Sequence, residues 1–156
     1  MRNRRAHDTN SNNKLDGMIL GVGTDIVAME RIEKLVTEYG ERFTAKVYTD
    51  RELANAEGKG PRRLQHLAGL FAAKEAVLKA LGTGQSQGAR LRDVELTPQD
   101  SGAPQVTLHG ATQKRFERGG GSAVHVSISH DAGLAVALAI IDLDGSRDSD
   151  PEAEAD

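Results

Sequence analysis

The 156-residue sequence predicts an α+β domain: an antiparallel sheet packed by one long helix. Three observations carry this. The chain opens on an apolar, β-branched run at 18–27; its longest helical pattern, RRLQHLAGLFAAKEAVLKAL at about 62–81, is apolar enough to lie across a sheet; and its last apolar stretches, AVHVSIS and GLAVALAIID, read as a hairpin turning through residues 130–133. The resulting order, βααα(ββ)α(ββ), gathers strands into hairpins, unlike the strict alternation of a doubly wound parallel sheet. No internal repeat is visible.

Taken in order, MILGVGTDIV is a strand broken by Gly21 and Gly23, where the backbone must bend or admit something close. Met29, Ile32, Leu35 and Val36 then recur at helical spacing among charges, predicting an amphipathic helix that stops near Gly40. Thr49 and Glu52 have capping-box spacing and start a second helix. The long helix is closed by Gly82. Residues 94–97 and 105–109 form a hairpin around DSGAP, and GATQKRFERGGG gives a short helix followed by a flexible link. The final strand is apolar on both faces, so it is expected at the centre of its sheet.

Composition bounds the chemistry. Hydrophobic residues make up 38% and aromatics 3%, so the core is built from Leu, Val, Ile and Ala, and self-association would help it. With no cysteine, disulfides, thiolate metal sites and cysteine nucleophiles are excluded. The first residues lack the apolar core of a signal peptide and no run reaches membrane-spanning length, so a cytoplasmic protein with no membrane partner is expected. The net charge of -3 is uneven: residues 1–17 carry +2, 142–156 carry -6, and the near-neutral middle offers no continuous basic surface for nucleic acid. Three segments follow: a flexible polar arm at 1–17, a domain at 18–142 and a disordered acidic tail at 143–156.

The informative residues are carboxylates in apolar elements. Glu75 lies on the stripe formed by Leu64, Leu67, Ala68, Phe71 and Leu78, where it is half buried unless compensated. It reads either as an i,i+4 partner of Lys79 or as a site residue. Asp25 sits inside the glycine-broken strand and reads either as a helix N-cap or as a second site carboxylate. Two such acids without His or Cys companions suit Mg²⁺, which completes its shell with waters and substrate phosphates. Lys74, Lys79 and the glycines Gly82 and Gly84 then suit a phosphate neighbourhood. His125, Ser127 and Ser129 share one face of their strand, fit either for solvent or for the wall of a nucleotide pocket.

Three segments together, GVGTDIV at 21–27, FAAKEAVLKALGTG at 71–84 and HVSISHDAG at 125–133, resemble the holo-acyl-carrier-protein synthases, the small 4′-phosphopantetheinyl transferases. The likeness covers roughly residues 18–142. It implies the phosphopantetheinyl transferase-like fold, assembly as a homotrimer with sites between neighbouring subunits, and a role in fatty acid biosynthesis. The implied reaction is Mg²⁺-dependent transfer of the 4′-phosphopantetheine arm of coenzyme A to a serine of apo-acyl carrier protein. Asp25 and Glu75 are implied as metal ligands, with Asp25, Glu75 and Lys79 forming the catalytic group. Lys79, Gly82, Gly84 and the strand bearing His125, Ser127, Ser129 and His130 are implied to bind coenzyme A. For the serine proton, Glu75, a water on the metal and His130 are the candidates. Because acyl carrier proteins are acidic, Arg31, Lys34 and Arg42 are expected to dock the carrier. The sequence departs from the family at Leu70, where an arginine is usual, which puts a phosphate or subunit contact in question. A Mg²⁺-dependent phosphodiesterase or nuclease is the alternative, but would want a third acid and a basic surface; a non-catalytic nucleotide-binding module is another.

Overall fold

The computed structural model of the protein describes residues 18–84 and 88–145. The predicted arm at 1–17 and nearly all of the predicted tail lie outside them. The strand expected at the start is β1 (Ile19–Ala28), and the expected amphipathic helix is α1 (Met29–Tyr39). Gly40, at φ +51°, ends α1, yet its carbonyl accepts from Phe43 and Thr44 and restarts the chain at once as α2 (Glu41–Val47). That helix was not expected from sequence: ERFTAKV has no side-chain cap and carries β-branched Thr44 and Val47. The capping box is formed as predicted at α3 (Asp50–Glu57), with Thr49 Oγ1 accepting from the Glu52 N–H and Glu52 Oε2 from the Thr49 N–H.

Helix α4 (Arg63–Ala80) is enclosed almost completely: Leu67 to Leu78 are buried apart from half-buried Glu75. The hairpin of β2 (Val94–Pro98) and β3 (Pro104–Leu108) stands alone as a two-stranded sheet. Next come α5 (Gly110–Arg118), β4 (Gly121–Asp131) and β5 (Leu134–Leu143). The glycines after α5 are no free link: Gly121 already belongs to β4, and a Cβ there would lie 2.3 Å from the Phe116 ring. Leu143 likewise belongs to β5 rather than to a tail.

The main sheet is antiparallel in the order β1-β5-β4, with the apolar β5 central as expected. Asp131 pairs with Leu134, so the β4–β5 turn shrinks to Ala132–Gly133, both at positive φ, the geometry of a tight hairpin turn. Cross-strand partners share a face. One face carries Gly23, Asp25 and Val27 of β1, Ala135, Ala137 and Ala139 of β5, and Val126, Ile128 and His130 of β4, and packs on α4. The opposite face carries Val22, Ile26, Val136 and Leu138, all exposed.

Candidate active site

The seam between β1 and α4 has no room for side chains. A Cβ on Gly21 would stand 1.9 Å from the Ala80 carbonyl oxygen, and one on Gly23 would stand 2.0 Å from that of Ala76. The close neighbour admitted by these glycines is therefore the helix backbone, not a ligand. Asp25 is the next residue on the same face, so it emerges where β1 meets the turn of α4 bearing Glu75 and Lys79. Its Oδ1 accepts from Lys79 Nζ at 2.9 Å, and the same ammonium donates to the Thr24 carbonyl at 3.0 Å. Lys79 thus reaches across to the strand. The Asp25 side chain is 15% exposed and that of Lys79 49%, so the carboxylate is sheltered while the cation stays accessible. Asp25 is not an N-cap: that position belongs to Ala28, without a side-chain bond.

The donor chemistry here suits a hard cation. Among the described residues no cluster of three or more His, Cys, Asp or Glu could hold a metal. A cation at the seam would have at most the two carboxylates of Asp25 and Glu75, a set that fits Mg²⁺ completed by waters and phosphate oxygens.

Lys74, expected near phosphates, is instead fully buried. It pairs with Glu52 Oε2 at 2.8 Å, with neither side chain exposed, and donates to the carbonyls of Leu91 and Val94. Glu52 Oε1 in turn accepts from the Leu96 N–H at 2.8 Å. Burial holds the Lys74 ammonium below its usual range against the pull of Glu52. The pair pins α4 to α3 and β2 and so fixes the rotation of α4, on which the next residue, Glu75, is left half-buried. The Gly82 and Gly84 N–H groups are also committed, to the carbonyls of Lys79 and Leu78. At φ +72° and +52° these glycines terminate α4, which is the simpler of the two roles the sequence allowed them.

The polar strand is split. Ser127 pairs with Leu138 and His125 with Ile140 on the outer face, where Ser129 also lies; His125 Nε2 meets Asp142 Oδ2 at 2.7 Å. The seam carboxylates are on the inner face, so a single chain does not bring His125, Ser127 or Ser129 to them. His130 is on the inner face, but its Nε2 contacts the Gln65 carbonyl at 3.0 Å, about 15 Å along α4 from Glu75. There it lines a cavity of about 270 Å³ with Lys59, His66, Gly69, Leu70 and Ile128. Gly69 makes the room, since a Cβ would fall 2.7 Å from His130 Nε2. Leu70 is buried against this cavity. The Nε2 atom of His66 is buried with no hydrogen-bond partner among the described residues, and burial, with Lys59 and His130 nearby, holds its imidazole below the usual range. The sequence reading missed His66; the signal was a histidine one turn before a glycine on a buried helix.

Of the expected docking residues, Lys34 pairs with Glu30 at 2.8 Å on the open surface and Arg42 is exposed on α2. The Lys34 hydrogen bond holds the Glu30 carboxyl below its usual range. Arg31 lies 5.7 Å from the Phe71 ring centroid, at the edge of a groove of about 630 Å³ floored by Leu35, Phe43 and Phe71. Lys46, Arg90 and Arg92 complete its basic rim. No sequence signal joins these three, because their common rim is formed only when α2 packs against the segment before β2.

Comparison with known proteins agrees with this architecture. Residues 21–139 match the family profile described as the 4′-phosphopantetheinyl transferase superfamily. The holo-[acyl-carrier-protein] synthase of Maridesulfovibrio salexigens is 39% identical over 80% of this chain and 99% of its own length. That of Desulfovibrio desulfuricans is 44% identical, over 80% and 98%. Among solved structures, the holo-[acyl-carrier-protein] synthase of Neisseria meningitidis superposes with a TM-score of 0.74 at 34% identity, covering 80% of this chain and 99% of that one. The Helicobacter pylori synthase in complex with coenzyme A gives 0.68 at 31% identity, covering 77% and 98%.

Proposed function

The chain belongs to the 4′-phosphopantetheinyl transferase superfamily, and from that premise we infer that it is a holo-[acyl-carrier-protein] synthase. It transfers the 4′-phosphopantetheine group of coenzyme A to a serine of apo-acyl carrier protein, releasing adenosine 3′,5′-bisphosphate. The observation that carries this reading is the sheltered Asp25 beside Lys79, which lies one helical turn after Glu75 on α4.

In this step the serine oxygen attacks the phosphorus bearing the pantetheine arm, and the bond from that phosphorus to the bisphosphate oxygen breaks. Little covalent help is needed, so positioning and charge compensation dominate. Asp25 and Glu75 are proposed to hold Mg²⁺, which when bound neutralises charge on the diphosphate. The accessible Lys79 ammonium offsets charge on the departing bisphosphate, while its bond to Asp25 orients that carboxylate. Glu75 is the favoured acceptor of the serine proton, because His130 of the same chain is engaged far along α4.

Self-association is part of the proposal. The outer sheet face exposes Val22, Ile26, Val136 and Leu138 side by side, a patch that suits burial against further copies. The homotrimer implied by the family resemblance would cover it. His125, Ser127 and Ser129 on that face would then serve a neighbouring copy's coenzyme A site. The acidic carrier suits the Arg31 groove, with Lys34 and Arg42 alongside.

The test is incubation with coenzyme A, Mg²⁺ and an apo-carrier protein, followed by mass spectrometry of the carrier. Conversion is expected with the parent chain and loss of at least about a hundredfold in rate with Asp25→Asn or Glu75→Gln. Full activity in either variant overturns the assignment of the carboxylates.

A further inference from the structure

Helix α5 turns one stripe, Ala111, Lys114, Arg115 and Arg118, over a cleft of about 130 Å³ whose other wall is Thr83 and Ala89. The spacing i, i+3, i+4, i+7 sets these side chains on one face. The other faces of α5 are engaged: Thr112 is buried, Phe116 packs against Gly121, and Gln113 donates to Glu117 at 2.9 Å. None of the three cations has a carboxylate partner among the described residues; Arg115 makes only a long bond to the Leu81 carbonyl, at 3.4 Å. Elsewhere Arg63, Arg90 and Arg92 each have an acidic partner. The helix C-terminus favours some positive charge here, but like charges three and four residues apart repel. A stripe of this kind calls for an anion.

One polyanion arrives beside it by chain connectivity. The Asp144 N–H donates to the Gly120 carbonyl at 2.6 Å, two residues past Arg118. Residues 146–156, SRDSDPEAEAD, follow, with five acidic side chains against one basic. Eleven residues reach at most about 40 Å when extended, and α5 is only about 14 Å long. The segment lies past residue 139, where the family match ends, so family membership does not account for it.

We propose that the acidic segment 146–156 docks on the Lys114, Arg115 and Arg118 stripe of α5, whose cleft shares Ala89 with the Arg31 groove, and from there competes with the acidic carrier protein docking on that groove. The cleft borders Thr83 in the turn that ends α4, so an occupant stands next to the segment bearing Lys79. The competition rests on the proposed synthase activity, whereas the docking does not.

Zero-length carbodiimide cross-linking of the full chain, read by peptide mass spectrometry, tests the docking. At low ionic strength Lys114 is expected to join an acid between Asp148 and Asp156. The yield should fall at least about threefold in 0.5 M salt, and equally in Arg115→Gln/Arg118→Gln, which keeps Lys114 as reporter. Absence of the Lys114 product, equal linkage to Lys34, Lys46 and Lys59, or a yield indifferent to salt and to the double variant overturns it. In the kinetic arm, deleting residues 146–156 should lower KM for the apo-carrier about threefold at low salt with kcat nearly unchanged, and high salt should erase the difference. An unchanged KM at low salt overturns the competition, while absence of any transfer by the parent chain overturns the synthase reading instead.

Discussion

Lys74 and Glu75 are neighbours in sequence with opposite fates. One helical step of about 100° turns Lys74 into the core against Glu52 and leaves Glu75 half-buried. Removing one partner of a buried, hydrogen-bonded pair costs about 3–5 kcal/mol, because the other charge is left without compensation. The alternating roles are thus enforced by folding energy. His66 shows a related tension, since its buried Nε2 is without a partner among the described residues and burial holds its imidazole below the ordinary value. The unfolded state therefore binds the proton more tightly than the folded state. Stability from this residue is complete above the unfolded value, near 6.5, and is lost as pH falls toward the folded value. The melting temperature is expected to drop between about pH 7.5 and pH 5.5, with a smaller drop in His66→Gln. An equal slope in the variant would assign the effect elsewhere.

At the scale of elements, the β1–α4 seam is the decisive contact. Gly23 lets the strand touch the helix backbone, which is what delivers Asp25 to Lys79. Gly23→Ala is expected to cost about 3 kcal/mol in denaturant unfolding, because its Cβ would meet backbone that cannot swing aside. It should also reduce transfer activity by separating the seam. Gly58→Ala is the control: its Cβ has 3.4 Å to the nearest atom and an ordinary φ, so a change below about 1 kcal/mol is expected. Most elements were legible because their signals are local: the Thr49–Glu52 capping box, the glycine after the long helix, the alternating strands of the first hairpin and of β4, and the continuous apolar run of β5. Helix α2 was not, since its start depends on the Gly40 carbonyl geometry. The glycines after α5 misled for a different reason: close packing on Phe116, not chain freedom, is why Gly121 is there.

For the whole molecule, the outer sheet face matters most. A lone chain would leave Val22, Ile26, Val136 and Leu138 in water, although the opposite face of the same strands is sealed by α4. Leu138→Glu is expected to fold, since the side chain is already exposed, but to run as a single chain in light scattering and to lose transfer activity. An assembly of unchanged mass would remove this face from the interface.

Local order alone is enough for the α+β class and the central position of β5, and it singles out Asp25, Glu75 and Lys79 as residues to watch, because periodicity, caps and misplaced charges are written in neighbouring residues. Only the tertiary structure decided which conspicuous groups share a place. It buried Lys74, turned His125, Ser127 and Ser129 away from the carboxylates, and joined His130 to His66. The reason is physical: the face a strand residue presents depends on which neighbour covers the sheet, and a helix buried on all sides carries no periodic mark of which side meets which partner.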